Sequence, residues 1–359
     1  MNTRLNIAIL YGGKSVEHEI SIRSAKNVVA HIDQSKYAIQ LIGIDKQGVW
    51  YLSKSVEDNI DKGSAVSIKL DTSSPFLIDS VSGKEIIIDV IFPVLHGTDG
   101  EDGSIQGLFK VLDLPVVGSG VLGSAISMDK IISKKVLKEG GIPVAPYIEF
   151  QKSQIKDISY AKVSKSVGVP FMIKSAALGS SVGISMVKSE EDFLIALADS
   201  FQYGDKIIVE SFVKGRELEC AILGNETPQA SVPGEIVMVK EYDFYTYEAK
   251  YLDENAIEIQ IPAKADEAVL EHIRKICIQA YKALRCDDYA RVDLFLTEEG
   301  DIIINEINTI PGFTDASMFP MMWKHMGIGF TDLITRIIEL CVKRHKDSKN
   351  LETSYNRGN

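Results

Sequence analysis

The sequence has few cysteines and no pairing pattern among them. Cys220, Cys277, Cys286 and Cys341 are scattered, and no Cys-x-x-Cys occurs. Neither a zinc site nor a disulfide framework is suggested, and a reducing compartment is expected. No apolar run approaches the ~18–20 residues needed to cross a bilayer, which excludes an integral helical membrane protein. Positive charge is also in short supply. Lys and Arg number 39 against 50 Asp and Glu, a formal net charge of −11. An acidic chain is poorly suited to gripping a nucleic-acid backbone over a long footprint, so no nucleic-acid partner is expected. Residues 1–13 lack the apolar h-region and cleavage site of a signal peptide, and a cytoplasmic location is the expectation. There is no internal repeat and no long low-complexity linker. What is present is ordinary for a soluble globular protein, with 45% apolar and 25% charged residues. At ~100–200 residues per domain, the 359 residues suggest two or three domains.

The first third alternates strand and helix patterns. Residues 5–11 form a near-continuous apolar run ending in Gly12-Gly13, as a buried parallel strand does. Residues 20–31 have helical spacing, 37–44 and 85–95 read as strands, and 103–112 as a helix. The alternation predicts a parallel sheet covered on both faces, with ligands beyond the carboxyl ends of its strands, at loops 12–19 and 96–103. Residues 128–139 read as a basic amphipathic helix stopped by Gly140-Gly141 and Pro143. Strands are expected at 171–174, 182–187 and 206–210, with a helix at 189–201 between the last two. A polar, aromatic stretch at 241–255 precedes a long helix at about 266–284. Two strands then flank a Glu-Glu-Gly-Asp turn. A terminal helix is expected from about 331 to 343, and a polar, disordered tail from 345 to 359.

The strongest chemical signal is the pair of strands Ala290-Arg291-Val292-Asp293 and Asn305-Glu306-Ile307-Asn308. Strand alternation puts Arg291 and Asp293 on one face, and Glu306 and Asn308 on one face. A turn centred between Glu299 and Gly300 sets Asp293 opposite Glu306 and Arg291 opposite Asn308; a three-residue loop shifts that register by one. Two carboxylates facing each other across a ladder repel unless something positive lies between them. A hard cation such as Mg²⁺, shared with substrate phosphates, relieves that repulsion. A solvated face on an edge hairpin is the alternative.

A second signal is Ala177-Leu178-Gly179-Ser180-Ser181-Val182-Gly183, with Lys174 upstream. Small residues let backbone N–H groups reach phosphate oxygens. This is not a Walker A loop, because no Gly-Lys-Ser/Thr follows, and an ordinary flexible hairpin remains open. Gly118-Ser119-Gly120-Val121-Leu122-Gly123 matches a dinucleotide fingerprint. However, Glu139, about twenty residues on, falls at a helix end rather than at the tip of a second strand where it would meet a ribose. Glu17, His18 and Glu19 stand at a helix start, where carboxylates are favoured in any case. The loop His96-Gly97-Thr98-Asp99-Gly100-Glu101-Asp102-Gly103 follows a buried strand. Glu210 to Val213 with Glu217 fits an adenine hinge with a ribose acceptor, or simply core strands.

Taken together and in order, these stretches resemble the D-alanine–D-alanine ligases of the ATP-grasp superfamily. The motifs that carry the resemblance are residues 12–21, 95–103, 127–130, 178–183, 247–251, 290–293 and 305–314. One departure is Ser175 after the central lysine, where the family usually has Pro. The resemblance implies an α/β ATP-grasp fold. An N-terminal Rossmann-like parallel-sheet substrate domain (1–125) would precede a central subdomain (126–212) and a C-terminal subdomain (213–344) that sandwich ATP, with a lid at 241–255.

It further implies that the carboxylate of one D-alanine attacks the γ-phosphate of ATP, and that the amine of a second attacks the acylphosphate. Lys130 and Lys174 would neutralise the phosphates, with Ser180 and Ser181 capping them. Glu210, Phe212 and Val213 would frame the adenine, and Glu217 the ribose. Asp293, Glu306 and Asn308 would hold two Mg²⁺, for which Mn²⁺ can substitute; K⁺ activation is left open. Glu17 would bind the first ammonium with His96 nearby. Arg291 and the Gly312 N–H would stabilise the oxyanion, and Ser317 would hold the second carboxylate. Lys250 and Tyr251 would lie on the lid, and the family suggests a homodimer. The rival readings are a D-alanine–D-lactate ligase on the same fold and a non-catalytic nucleotide-binding protein. A Rossmann oxidoreductase would rest on the Gly118–Gly123 glycines alone.

Overall fold

The computed structural model describes residues 4–70, 76–179, 183–239 and 257–351. The described strands form three sheets. The first contains β1 (Leu5–Gly12), β2 (Tyr37–Ile44), β3 (Trp50–Ser53), β4 (Ser64–Ile68), β5 (Phe76–Asp79), β6 (Glu85–Ile87) and β7 (Val90–Pro93). Their order is β6-β5-β4-β3-β2-β1-β7. Only β2, β1 and β7 are parallel. The strands from β3 to β6 pair antiparallel in a meander, which corrects the expectation of a wholly parallel sheet. The connections from β2 to β6 are too short to carry a crossover helix, so each strand folds back on its neighbour. The single strand expected over 85–95 is two. Asp89 separates them, accepting the Asn6 backbone N–H at 2.7 Å and the Asn6 side-chain amide at 2.8 Å.

Helix α1 (His18–His31) follows β1; α2 (Ser104–Val111), α3 (Val121–Met128) and α4 (Lys130–Glu139) follow β7. The expected helix over 128–139 begins two residues later because Asp129 caps it. The Asp129 carboxylate accepts the N–H groups of Ile131 and Ile132, both at 3.0 Å. The second sheet is antiparallel, in the order β10-β9-β11-β8. Its strands are β8 (Tyr147–Gln151), β9 (Phe171–Ser175), β10 (Ile184–Val187) and β11 (Lys206–Ser211), backed by α5 (Tyr160–Val167) and α6 (Glu190–Ser200). The third sheet runs β15-β14-β12-β16-β17, with β13 beside β12. These strands are β12 (Gly215–Leu223), β13 (Gln229–Ala230), β14 (Gly234–Met238), β15 (Ile257–Gln260), β16 (Tyr289–Thr297) and β17 (Ile302–Asn308). Helix α7 (Glu267–Ala283) packs on it, and α8 (Met318–His325) and α9 (Phe330–Ser348) follow.

The terminal helix continues five residues beyond its expected end, so residues 345–348 are helical rather than a disordered tail. The cause is Arg344. Its guanidinium donates to the Asp288 carboxylate at 2.8 Å and to the carbonyls of Val116 at 3.0 Å and Gly118 at 2.8 Å. The apolar stripe of α9 (Leu333, Ile334, Ile337, Ile338, Cys341) shares one core with Ile7, Ile9 and Phe92 of the first sheet. The end of the chain therefore covers a face laid down by its beginning.

Arg344 also explains the glycine fingerprint. The N–H of Gly118 is donated to Asp288 at 2.9 Å, and that of Gly120 to Asp287 at 3.2 Å. The protein's own carboxylates occupy the loop that would otherwise cradle a pyrophosphate. Asp288 is fully buried, and burial pushes its carboxyl up even with Arg344 against it. Arg344→Met should therefore cost about 3 kcal/mol in urea unfolding, the scale for stripping the partner from a buried charge. Adding Asp288→Asn should recover most of that loss. A change below ~0.5 kcal/mol for Arg344→Met, the range of an ordinary surface substitution, would remove this ion pair as the tie between the two ends of the chain.

Candidate active site

The β16–β17 hairpin holds the expected acidic pair in an unexpected way. Near the turn, Leu296 faces Ile302 and Leu294 faces Ile304. Thr297 N–H donates to the Asp301 carbonyl at 3.0 Å. That is the shifted register of a three-residue loop, made possible by Gly300 at φ +89°. The register then slips between Asp293 and Leu294, leaving Asn305 as an extra, bulged residue. Beyond the bulge, Asp293 faces Glu306 and Arg291 faces Asn308. The expected pairing holds at the site because the loop and the bulge offset each other.

On the other side of β16, Glu219 of β12 faces Asp293. Three carboxylates, Glu219, Asp293 and Glu306, thus lie in a row across three adjacent strands. Their repulsion is offset by the chain's own cations. Arg291 makes two hydrogen bonds of 2.7 Å to Asp293, and its Nε lies 2.9 Å from Glu219. Lys130 Nζ lies 3.4 Å from Glu306 and donates to the Leu178 carbonyl at 2.8 Å. Asn308 Nδ2 donates to Asp293 at 2.9 Å. Asp293, Glu306 and Asn308 offer only oxygen donors to a cation, which fits Mg²⁺. Among the described residues no three of His, Cys, Asp and Glu are grouped to hold an ion by themselves. A bound ion would therefore draw on Asn308 and on substrate oxygens.

Next to Glu306 a cavity of about 370 Å³ opens between the second and third sheets. Lys130, Lys174, Glu210, Phe212, Val213 and Glu217 all line it, together with Gly179. Its apolar walls come from Met172, Ile184, Met238, Phe295 and Ile303. Glu210 also has partners that the sequence did not suggest. Its two carboxylate oxygens lie 2.8 Å from Lys134 and 2.8 Å from Lys174. Burial favours its neutral form, but the two ammonium groups hold the carboxyl at about 2.

The loops that follow β1 and β7 converge on the same hairpin. Gly12 has φ +89°, and a Cβ there would sit 2.3 Å from the Ile44 carbonyl, so the turn that launches residues 14–17 requires glycine. Glu17 is buried. Its carboxylate lies 2.8 Å from the point where Gly97 would carry a Cβ, and 3.0 Å from the same point on Gly179. Glu17 thereby stands between the 96–103 loop and the start of the glycine-serine segment. His96 is buried with both ring nitrogens engaged. Nδ1 bonds the Ile310 carbonyl at 2.8 Å and Nε2 bonds Ser24 Oγ at 3.0 Å. Burial pushes its pKa down, so it is neutral and serves as a brace rather than a charged ligand. Gly312 and Ser317 are adjacent, a Gly312 Cβ falling 2.8 Å from Ser317 Oγ. Ser317 accepts the Thr314 N–H at 3.0 Å.

Ser180, Ser181, Lys250 and Tyr251, with the segment 241–255, lie outside the described residues. Five residues that the sequence reading did not single out contribute to the site. Lys134 stands one helical turn from Lys130, a spacing that already put both on one face. Glu219 is two residues from Glu217 on the same strand face. Glu101 accepts the N–H of Gly97 at 2.8 Å and of Ile310 at 2.9 Å; burial and neighbouring Glu17 push its carboxyl up to about 8. Arg216 pairs with Glu235 on the cavity wall, Nε to Oε1 at 2.7 Å; no sequence signal pointed to this pair.

The family models for the D-ala D-ala ligase N-terminus and C-terminus match residues 6–119 and 136–339. The chain is 46% identical over 363 residues to D-alanine--D-alanine ligase A of Escherichia coli K12, covering 98% of this chain and 99% of that one. Among solved structures, the D-alanine-D-alanine ligase from Coxiella burnetii aligns with a TM-score of 0.84 at 37% identity, covering 97% of this chain and 98% of that chain. The VanG D-Ala:D-Ser ligase from Enterococcus faecalis aligns with a TM-score of 0.86 at 33% identity, covering 94% and 100%.

The carboxylate row has a measurable consequence. Arg291→Met strips Glu219 and Asp293 of their shared guanidinium. In Mg²⁺-free buffer the variant should lose about 2–3 kcal/mol, somewhat under the figure for a fully buried pair because these side chains keep some solvent contact. Added Mg²⁺ should then raise its melting temperature more than that of the wild type, since the ion meets uncompensated carboxylates. An equal Mg²⁺ response in both proteins would mean that the row does not take the ion.

Proposed function

The chain belongs to the D-alanine–D-alanine ligase family, and we propose that it joins two D-alanines to D-alanyl-D-alanine at the expense of ATP, giving ADP and phosphate for peptidoglycan precursors. The observation that carries this reading is the cavity beside Glu306, where six side chains expected to meet the nucleotide converge. In it, the carboxylate of the first D-alanine attacks the γ-phosphorus of ATP, the bond to the β-phosphate oxygen breaks, and an acylphosphate forms as ADP departs. The unprotonated amine of the second D-alanine then attacks the acyl carbon. The tetrahedral intermediate loses a proton from nitrogen to the departing phosphate as it expels it, and the peptide bond remains.

Each residue has a task in that sequence. Lys130 and Lys174 offset the negative charge of the phosphates, with Ser180 and Ser181 capping them. Lys130 would exchange its pairing with Glu306 for phosphate oxygens. Phe212 and Val213 frame the adenine with Glu210, and Glu217 takes the ribose. Asp293, Glu306 and Asn308 would hold two Mg²⁺, or Mn²⁺ in their place, and these ions when bound neutralise the β and γ oxygens. Glu17 binds the ammonium of the first D-alanine, and His96 keeps the neighbouring loop in place. Arg291 and the Gly312 N–H stabilise the oxyanion of the tetrahedral intermediate, and Ser317 holds the carboxylate of the second substrate. Lys250 and Tyr251, on the lid that the family resemblance implies at 241–255, would keep water from the acylphosphate. Residues 1–125 supply the substrate side; 126–212 and 213–344 grasp the nucleotide. We place the enzyme in the cytoplasm as a homodimer, with K⁺ as a candidate activator. Among the described residues no helix is long and apolar enough to cross a membrane.

The test is phosphate release from MgATP with D-alanine, L-alanine, D-serine, D-lactate or no co-substrate in parallel, with product analysis. D-alanine alone should support turnover and yield ADP. AMP as product, or equal rates with L-alanine, would contradict the reading. A mixed peptide made preferentially from D-alanine and D-serine, or a depsipeptide from D-lactate, would move the chain to a sister specificity. Glu306→Gln should lower turnover at least ~10²-fold, since a metal ligand at the phosphates is worth several kcal/mol in the transition state.

A further inference from the structure

Lys134 is a buried ammonium that the reaction as described above does not use. Its side chain is 2% exposed, that of Glu210 3% and that of Lys174 10%. The three come from different elements, α4, β11 and β9, and meet at the wall of the cavity, which all three line. Each oxygen of Glu210 serves one lysine at 2.8 Å. The bulged Asn305 completes the arrangement, its carbonyl 3.3 Å from Lys134 Nζ and its side-chain oxygen 3.4 Å from Lys174 Nζ.

Burying a second ammonium here is unfavourable in itself. Burial pushes the Lys134 pKa down even though Glu210 opposes the shift. A methionine would fill the same volume without that cost. What the ammonium supplies is a claim on one oxygen of Glu210. Without it, both oxygens would be open to Lys174. The pair would then close on itself with no net charge, and the Lys174 ammonium would turn from the cavity toward the carboxylate. With it, the trio carries one net positive charge, and Lys174 keeps hydrogen-bonding capacity on the cavity side.

We propose that Lys134 is a positioning residue for the phosphate-binding lysine: by occupying one oxygen of Glu210 it leaves the buried trio with one net positive charge and holds the Lys174 ammonium toward the nucleotide. The inference rests on reading the cavity as the nucleotide site. It also gives Glu210 a second task beside the adenine, that of dividing its charge between two lysines.

The experiment separates charge from packing. Dissociation constants for MgATP and for adenosine are measured by calorimetry on the full chain, and their ratio reports the phosphates alone. Melting temperatures confirm that each variant is folded. Lys174→Met should reduce ATP binding relative to adenosine. Lys134→Met should reduce the same ratio about tenfold, the worth of one charge-assisted contact. The double variant Lys134→Met/Glu210→Gln again leaves one net positive charge on Lys174, and it should return the ratio to within about threefold of wild type, under one kcal/mol. A merely structural lysine would give no such recovery, so a folded double variant as poor as Lys134→Met overturns the proposal. An unchanged ratio in Lys134→Met, with Lys174→Met impaired, also overturns it while the nucleotide site stands. An unchanged ratio in Lys174→Met removes both.

Discussion

Three carboxylates side by side on one sheet face are the constraint around which the rest of the site is arranged. Glu219, Asp293 and Glu306 sit on neighbouring strands, with no more than one pleat between them. Such a row can be part of a folded protein only if cations lie against it. Arg291 fills that need from β16 itself, two residues from Asp293. Lys130 fills it from the first turn of α4, which fixes where that helix must dock. The bulge at Asn305 follows from the same demand. Without it the three-residue loop would carry Asn305, not Glu306, to the position facing Asp293, and the acidic pair would be lost. A site so balanced by its own cations is also ready to exchange them. In the proposed reaction phosphates would take over Lys130, and a divalent ion would take over the carboxylates, without a bare charge being left in the interior at either end of the exchange.

The second consequence concerns how distant segments are held at the hairpin. The loop that follows β17 is gripped by α1 and by the 96–103 loop through several polar contacts. Glu101 accepts the N–H of Ile310, His96 donates to its carbonyl, Ser24 accepts the N–H of Phe313, and Asn27 donates to the Phe313 carbonyl at 2.7 Å. The ring of Phe313 lies in the core shared by the first sheet, α8 and α9. Gly312 and Ser317, proposed for the oxyanion and the second carboxylate, are therefore positioned by residues lying 209 to 289 places earlier in the chain. Arg344 performs the same service at the opposite edge, binding Asp288 to the Gly118 loop. The two ties make the first sheet and the hairpin sheet one support, whereas the four-stranded sheet carrying Lys174 closes the cavity from the other side.

Much of this was legible in the sequence, for reasons that differ from residue to residue. The hairpin face was readable because strand alternation is a strict period, and the facing of Asp293 and Glu306 was anticipated correctly even though the loop length was not. The convergence of Lys130, Lys174, Phe212, Val213 and Glu217 on one cavity followed from the family resemblance rather than from pattern. The antiparallel half of the first sheet was missed because apolar runs do not announce their direction; connection length does, and those connections are short. The end of α9 was misjudged because Arg344 looks like a solvated charge until Asp288, more than fifty residues upstream, is placed beside it. Lys134 and Glu219 were passed over for a similar reason. Their spacing marked a shared face with Lys130 and Glu217, but a charged residue on a shared face gains meaning only when its partner on another element is known.

The central claim is that the nucleotide in the cavity gives its γ-phosphoryl group to a carboxylate held at the hairpin. The most direct measurement follows oxygen. D-alanine labelled with ¹⁸O in its carboxylate is turned over with MgATP, and the released phosphate is analysed by mass. Attack of the carboxylate on phosphorus, followed by loss of phosphate from the acyl carbon, requires one labelled oxygen in each phosphate released and one in the peptide bond. Unlabelled phosphate with both labels retained in the amino-acid product would mean that water, not D-alanine, takes the phosphoryl group, and the account would fail.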